Sequence, residues 1–258
     1  MVNSQIAPLL AASGLCKSFG GIKAVQDASI EVMTSSITGL IGPNGAGKTT
    51  LFNLLANFIR PDRGRVIFDG EPIDHLPTYQ IAERGLIRTF QVARTLSRLS
   101  VLENMLLAAQ KQTGEDFWRV QFQPLIVVQE EHQLRERAMS ILASVGLDNK
   151  IHEYAGGLSG GQRKLLEMGR ALMTNPKLIL LDEPAAGVNP KLIDHICDRI
   201  LTWNRQDKMT FLIIEHNMDV IMSLCDRVWV LAEGQNLAVG TPEEIQTDNQ
   251  VLGAYLGN

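Results

Sequence analysis

The octapeptide GPNGAGKT, residues 42–49, connects a short apolar stretch (SITGLI, residues 36–41) to a run whose apolar residues have helical spacing (KTTLFNLLAN, residues 48–57). A strand, a glycine-rich turn and a helix in this order are typical of a loop that binds phosphate. Glycines have no Cβ, so the backbone can wrap closely around an anion and point its N–H groups at the oxygens.

Two further residues of this loop carry the chemistry of a nucleotide site. Lys48 is predicted to reach the β- and γ-phosphates, and the Thr49 hydroxyl to hold Mg²⁺. The sequence therefore predicts that the protein binds a nucleoside triphosphate together with Mg²⁺.

The composition is that of an ordinary globular protein. The chain has 258 residues, 45% of them hydrophobic and 20% charged, with a net charge of −4 that argues against a general affinity for nucleic acid or anionic lipid. Its three cysteines are scattered and odd in number, which favours reduced thiols and a cytosolic setting. No secretory signal is evident, and no apolar run is long enough to span a bilayer.

The rest of the chain divides by its periodicity. Residues 9–32 predict two or three strands, with turns at residues 19–21 and 26–27, whereas residues 97–174 have helical periodicity and little strand signal. We expect the latter to be a helical subdomain inserted into one α/β domain that spans residues 1–258. The unusually apolar stretch 117–128 is expected to pack within that subdomain, with a contact surface for a partner as the alternative.

Two local patterns occur near the end of the chain. Residues 233–235 (EGQ) lie between two apolar strand patterns and predict a hairpin, and Thr241 is predicted to cap a last helix that begins at Pro242.

An apolar strand that ends in Asp182 and Glu183 is the second decisive stretch (LILLDEP, residues 178–184). The carboxyl end of such a strand opens into the same crevice as a phosphate loop. Asp182 is predicted to hold the metal, and Glu183 to orient or deprotonate the attacking water.

The third stretch is LSGGQ, residues 158–162, which continues directly into a helical pattern. Ser159 and the glycine amides at a helix N-terminus form a second device for binding an anion.

These motifs together resemble the ATPase subunits of ATP-binding-cassette (ABC) transporters over nearly the whole chain. The fold that this resemblance implies is an α/β phosphate-loop core with an N-terminal antiparallel β-subdomain and an inserted helical subdomain that carries the signature. The corresponding segments are residues 42–49 (Walker A), 178–182 (Walker B), 158–162 (signature), 88–91 (Q-loop), 186–189 (D-loop, with Asn189 where Asp is usual) and His216 (switch histidine).

The resemblance also assigns the site residues. Its catalytic residues are Glu183, His216 and Lys48, and its metal site consists of Thr49, Gln91 and Asp182. The nucleotide-binding residues are Phe19 (stacked on adenine), Asn44, Gly45, Ala46, Gly47, Lys48, Thr49, Thr50 and Gln91. The signature residues that a partner chain's ATP contacts are Ser159, Gly160, Gly161 and Gln162.

Several partners follow from the resemblance. ATP is expected between two such chains packed head to tail, in a homodimer or a heterodimer. Transmembrane permease subunits and, indirectly, a periplasmic solute-binding protein complete the transporter, with this chain at the cytoplasmic face of the inner membrane. No nucleic acid partner is expected.

The sequences of several segments are similar to those of ATPases from importers of branched-chain or neutral amino acids. The segments are RTFQ at residues 88–91, DEPAAGVNP at 182–190, IEH at 214–216 and the chain ending from residue 240. The alternatives are an ATPase of a urea importer, one of a lipopolysaccharide exporter, and a non-transport ABC ATPase of the iron–sulfur-assembly type.

Overall fold

The computed structural model describes residues 7–89, 95–110, 112 and 121–256. The chain divides into two compact units: residues 1–88, 177–186 and 194–258 form the first, and residues 89–176 and 187–193 form the second. The first unit contains both β-sheets, and the second unit is helical.

An antiparallel sheet begins the first unit. Its strands, in the order β2-β1-β4-β5, are β1 (Leu10–Phe19), β2 (Ile22–Val32), β4 (Arg63–Phe68) and β5 (Glu71–Pro72). The predicted turn after Phe19 is confirmed, but the one predicted at residues 26–27 is wrong, because β2 runs through it. Asp27 has a φ of 58°, and the register between β1 and β2 shifts beside it, so the polar pair forms a bulge instead.

The second sheet holds the phosphate loop. Its strands, in the order β10-β9-β3-β8-β7-β6, are β3 (Ile37–Ile41), β6 (Leu86–Arg88), β7 (Leu178–Asp182), β8 (Thr210–Ile214), β9 (Arg227–Ala232) and β10 (Gln235–Gly240). All neighbours are parallel except β9 and β10, which form the predicted hairpin. Every residue of β3, β7 and β8 is buried, as expected for central parallel strands covered on both faces.

The described helices complete both units. They are α1 (Lys48–Leu55), α2 (Thr78–Glu83), α3 (Val101–Leu106), α4 (Pro124–Ser144), α5 (Gly160–Met173), α6 (Pro190–Asp207), α7 (Met218–Leu224), α8 (Pro242–Thr247) and α9 (Asn249–Leu256). Thr241 caps α8 as predicted, but Asp248 ends that helix and a further helix, α9, follows. No helix among the described residues is long and apolar enough to cross a bilayer.

The helical unit is organised around a buried amide. Asn104 is fully buried, and its side chain bonds the backbone of the loop before α3 at Leu96, Leu99 and Ser100. That loop in turn bonds the segment that leads to the signature, for example through the amide of Ala155 and the carbonyl of Leu99 at 2.9 Å. The start of the signature helix α5 is thereby held by the same small network.

The prediction that residues 117–128 pack internally is wrong for three residues in the first turns of α4 and for Phe122, which precedes that helix. Phe122, Leu125, Ile126 and Val128 are exposed, Leu125 by 84%, while Val127 is buried. Residues 117–120 lie outside the described residues. The alternative, a contact surface for a partner, stays a prediction.

Candidate nucleotide-binding site

The candidate site lies at the carboxyl ends of three neighbouring strands. β8 pairs with β3 on one side and with β7 on the other, and Ile214 pairs with both Leu40 and Asp182. The phosphate loop follows β3, Glu183 follows β7, and His216 follows β8. Parallel strands bring these three segments to one edge of the sheet, which is where ligands bind in open α/β folds.

Glycine is required at two positions of the phosphate loop. Gly47, the N-cap of α1, has a φ of 95°, and a Cβ there would lie 2.3 Å from the carbonyl oxygen of Ala24. A Cβ on Gly42 would lie 2.0 Å from the carbonyl oxygen of Leu231. Larger residues are therefore excluded at these positions, because the backbone has positive φ and because other backbone segments of the same chain lie too close.

Lys48 lies inside the loop that it is predicted to serve. Its Nζ donates to the carbonyl oxygens of Gly42 and Pro43 at 2.7 and 2.9 Å, and the residue is 6% exposed. Burial lowers the pKa of the Lys48 ammonium, and the negative charge of Glu183 partly opposes this shift. The ammonium is thus buried beside Glu183 and held by the loop's own carbonyls.

The turn between β9 and β10 supports the phosphate loop from outside. The amide of Gly234 donates to the carbonyl of Ala46 at 3.0 Å, and the carbonyl of Gly234 accepts from the amide of Gln26 at 2.8 Å. A residue nearly two hundred positions away in sequence thereby fixes the middle of the loop.

Asp182 forms a buried ion pair at the end of β7. Its Oδ2 lies 2.9 Å from Nη2 of Arg88, and the two side chains are only 6% and 7% exposed. Arg88 also donates to the side chain of Asn53 on α1, and its guanidinium stacks near the rings of Phe52 and Phe58. This arrangement fixes the orientation of the carboxylate.

Glu183 and His216 contact each other directly. Nε2 of His216 lies 2.9 Å from Oε1 of Glu183, whose side chain is 18% exposed. Glu183 has a φ of 49°, and its amide donates to the carbonyl of Ile214 at 2.9 Å, so the residue is anchored to the end of β8. A carboxylate and an imidazole in this arrangement can hold and orient a water molecule.

The oxygen donors present suit Mg²⁺. Thr49 is exposed in the first turn of α1, and Asp182 uses one carboxylate oxygen in its ion pair. Among the described residues there is no group of three or more His, Cys, Asp or Glu side chains that could hold a metal. Mg²⁺ in nucleotide sites does not require one, because it is held by one or two protein oxygens, by water and by the phosphates.

Most of the remaining predicted nucleotide contacts that the structure describes are at least partly accessible. Phe19 ends β1 with 48% of its surface exposed, and Nζ of Lys17 lies 5.8 Å from the centre of its ring. Asn44 and Gly45 are exposed, Thr50 is half-buried and Ala46 is buried. Gln91 lies outside the described residues.

The signature forms the N-terminus of α5. Ser159 and Gln162 make a capping box, with the Gln162 amide donating to Oγ of Ser159 at 3.3 Å and the Ser159 amide to Oε1 of Gln162 at 3.0 Å. A Cβ on Gly160 would meet open space, whereas one on Gly161 would lie 2.0 Å from Cδ2 of Leu192. The glycine amides in the first turn have no intrahelical acceptor and are suited to bind an anion.

The D-loop residue that departs from the family pattern caps a helix. Oδ1 of Asn189 accepts from the amide of Leu192 at 3.0 Å at the start of α6. Aspartate would make the same bond, so the substitution keeps this local structure.

Comparison with known proteins decides the family. The model of the family described as ABC transporter matches residues 25–186. The chain belongs to the ABC transporter family. The fold is that of an ATP-binding cassette, and the predicted phosphate-loop fold is confirmed. Members of the family couple ATP hydrolysis to transport, and this cassette is an ATP hydrolase of that kind.

Relatives match the cassette over almost its whole length. It is 40% identical over 250 residues to the high-affinity branched-chain amino acid transport ATP-binding protein BraF of Pseudomonas aeruginosa, covering 97% of this chain and 98% of the relative. The identity to LivG of Escherichia coli K12, which has the same description, is 37% over 250 residues, covering 97% of this chain and 98% of LivG.

Solved structures agree with the fold. A nucleotide-free ATP-binding cassette from an ABC transporter superposes with a TM-score of 0.82 at 37% identity, covering 97% of this chain and 100% of that one. The ADP conformation of an ABC transporter cassette gives the same score and identity over 97% of this chain and 99% of that one.

Sequence reasoning missed three contributors to the site of this cassette. In the sequence Arg88 is part of the RTFQ segment, Glu215 is the neighbour of His216 and Gly234 is a turn residue, and none of the three is predicted to support the site. For Arg88 and Glu215 the available signal was a charged residue at the carboxyl end of an apolar strand or directly after it. The contact of Gly234 with the phosphate loop left no local signal, because it depends on the tertiary fold.

Proposed function

We propose that this cassette is the ATP-hydrolysing subunit of an importer that takes up branched-chain or other neutral amino acids. The alignment of the Glu183–His216 pair with the phosphate loop at one sheet edge supports hydrolysis. The amino-acid assignment rests on 40% identity over 97% of the chain to a branched-chain amino acid transport protein. No residue of the cassette is expected to touch the solute.

In the proposed mechanism Glu183 orients a water molecule for in-line attack on the γ-phosphate, and His216 holds the Glu183 carboxylate in place. Lys48 exchanges its two bonds to the loop carbonyls for bonds to phosphate oxygens. Thr49 and Asp182, with Gln91 as the sequence predicts, would hold Mg²⁺, and the ion would supply positive charge that offsets the charge of the phosphates.

The proposed site is completed by a second cassette chain. Ser159 and the amides of the signature helix would bind the γ-phosphate held by the partner, because a helix N-terminus favours an anion. The partner is an identical or a related chain. Permease subunits and a periplasmic binding protein complete the proposed importer, with the cassette as a peripheral subunit at the cytoplasmic face of the inner membrane.

Two substitutions test this function. Glu183→Gln keeps the shape of the side chain but removes its charge, so we expect ATP binding to persist and turnover to fall by at least about 100-fold. Lys48→Ala removes a buried cation beside the phosphates, and we expect it to abolish most of the affinity for ATP instead. Calorimetry with ATP and release of inorganic phosphate measure the two effects separately.

Uptake measurements in cells test which solute is transported. A strain that lacks the gene should lose uptake of radiolabelled leucine and recover it with the wild-type chain but not with Glu183→Gln. Unchanged leucine uptake in the deletion strain would contradict the amino-acid assignment. Undiminished ATP turnover by Glu183→Gln would contradict the catalytic assignment.

A further inference from the structure

The buried carboxylate of Glu215 has no role in the mechanism described so far. Glu215 lies between Ile214, the last residue of β8, and His216, and it is only 3% exposed. Burying an ionised carboxylate is costly unless hydrogen bonds replace its water. The hydrogen bonds of the Glu215 carboxylate therefore indicate its role.

Each oxygen of this carboxylate accepts a backbone N–H. Oε1 accepts from the amide of Ala185 at 2.6 Å, in a buried bond, and Oε2 accepts from the amide of His216 at 3.1 Å. Ala185 follows Glu183 by two residues. One side chain thus bonds the segment after the proposed catalytic carboxylate and the backbone of its histidine partner.

The segment that Glu215 bonds is conformationally unusual. Glu183 has a φ of 49°, a left-handed conformation that costs a residue with a side chain free energy and persists only when its surroundings enforce it. Two bonds hold this turn to the end of β8: the Glu183 amide bonds Ile214, and the Ala185 amide bonds Glu215. A third bond, from the amide of Ala186 to the carbonyl of Glu183, closes the turn at 3.1 Å.

We propose that Glu215 is a positioning residue for ATP hydrolysis, whose carboxylate fixes the backbone on both sides of the Glu183–His216 contact. This inference rests on the proposed function of Glu183. It predicts that the residue acts through orientation alone and makes no contact with nucleotide.

Both oxygens of the Glu215 side chain act as hydrogen-bond acceptors. A carboxylate offers an acceptor on each oxygen, and bonds to it are shorter and stronger than those between neutral groups. A glutamine has one acceptor oxygen and one NH₂ group. In Glu215→Gln, one of the two backbone N–H groups would therefore face another donor instead of an acceptor.

The test is the steady-state kinetics of Glu215→Gln in the complete chain. A small displacement of catalytic groups can lower turnover by about 100-fold, so we expect kcat to fall by roughly 10- to 100-fold. The phosphate loop keeps its bonds, so KM for ATP and the dissociation constant of ATP should change less than about twofold. Glu215→Asp keeps both acceptor oxygens on a shorter side chain and should recover part of the lost kcat.

A matched control lies at the other end of the same strand. Thr210 is 1% exposed, and its Oγ1 accepts from the amide of Ser35 at 2.9 Å. Thr210→Val removes a partly buried hydrogen bond at the start of β8, far from the strand's carboxyl end, so it should lower the melting temperature and leave kcat unchanged. A fall in kcat for this control as large as that for Glu215→Gln would overturn the proposal, because the effect would then be general destabilisation.

A double variant distinguishes this inference from the proposed function. If Glu215 acts through the Glu183–His216 contact, Glu215→Gln should lower kcat much less in a His216→Ala background than in the wild type. An undiminished kcat in Glu215→Gln would overturn the inference. So would a double variant whose kcat falls by the product of the two single-variant factors. If His216→Ala and Glu183→Gln themselves leave kcat unchanged, the proposed function fails instead.

Discussion

Arg88 shows how a single side chain can serve both folding and the candidate site. The ion pair with Asp182 is almost fully buried, and its guanidinium also reaches Asn53. Removal of one partner from a buried pair leaves an uncompensated charge, which costs more than the pair itself contributes. The pair is therefore more important for orienting Asp182 than for net stability.

Arg88→Met should accordingly be strongly destabilising. We expect the free energy of unfolding in urea to fall by about 3–5 kcal/mol, because Asp182 stays buried without a partner. In the Arg88→Met/Asp182→Asn variant the charge is gone, and we expect part of that loss to be recovered. Equal losses in the single and double variants would contradict this interpretation.

A surface ion pair provides the control for Arg88. Lys177 pairs with Asp69, and both side chains are 54% exposed. An exposed pair contributes about 0.2–1 kcal/mol, so Lys177→Met should change the free energy of unfolding by no more than that.

At the level of elements, three of the helices that the structure describes begin with the same capping box. The N-caps are Ser100 before α3, Ser159 before α5 and Thr241 before α8, and in each the third helical residue bonds back to the N-cap amide. Only the box at Ser159 belongs to the signature. The shared geometry allows the effect of a cap on stability to be separated from an effect on hydrolysis.

Ser159→Ala and Thr241→Ala form a matched pair. Each removes an N-cap hydroxyl and should lower the free energy of unfolding by about 1 kcal/mol. Only Ser159→Ala should also reduce ATP turnover, because the proposed partner-held γ-phosphate lies at its helix. Equal turnover of the two variants, measured by phosphate release, would argue against a role of the Ser159 side chain.

The elements that the sequence predicted well are those with a local signal. The phosphate loop, the Walker B strand and the hairpin at residues 233–235 each combine a periodic apolar pattern with glycine, and the structure has them where predicted. The bulge at Asp27 was mistaken for a turn, because the same polar residues favour both and pairing with β1 decides between them. The separate helix α9 was missed, because only Asp248 separates it from α8.

The candidate site was predictable to a different extent. Motif spacing predicted Lys48, Asp182 and Glu183, and the family resemblance predicted His216, but neither contains information on which side chains bond to one another. The Arg88–Asp182 pair, the two bonds of Glu215 and the contact of Gly234 with Ala46 all join residues far apart in sequence. Such contacts follow from the assembled sheet and need the structure.

At the scale of the whole molecule, the proposed importer predicts which proteins accompany the cassette. Tagged protein from its own cells, solubilised in mild detergent, should bring integral-membrane permeases and a cassette partner, identified by mass spectrometry. Permeases of a urea importer or of a lipopolysaccharide exporter would contradict the amino-acid assignment. Recovery of soluble assembly factors alone would favour a non-transport role.

Two turns of the same shape have different consequences for anyone who wishes to insert an epitope or a fluorophore. Asp69–Gly70 and Glu233–Gly234 both have positive φ at the two central positions, and both join adjacent antiparallel strands. A Cβ at Gly70 would meet open space, whereas one at Gly234 would lie 2.8 Å from the carbonyl oxygen of Ala24. The first turn therefore has space for a graft. A graft in the second turn would disturb the bond between Gly234 and Ala46, so it should loosen the phosphate loop and lower ATP hydrolysis.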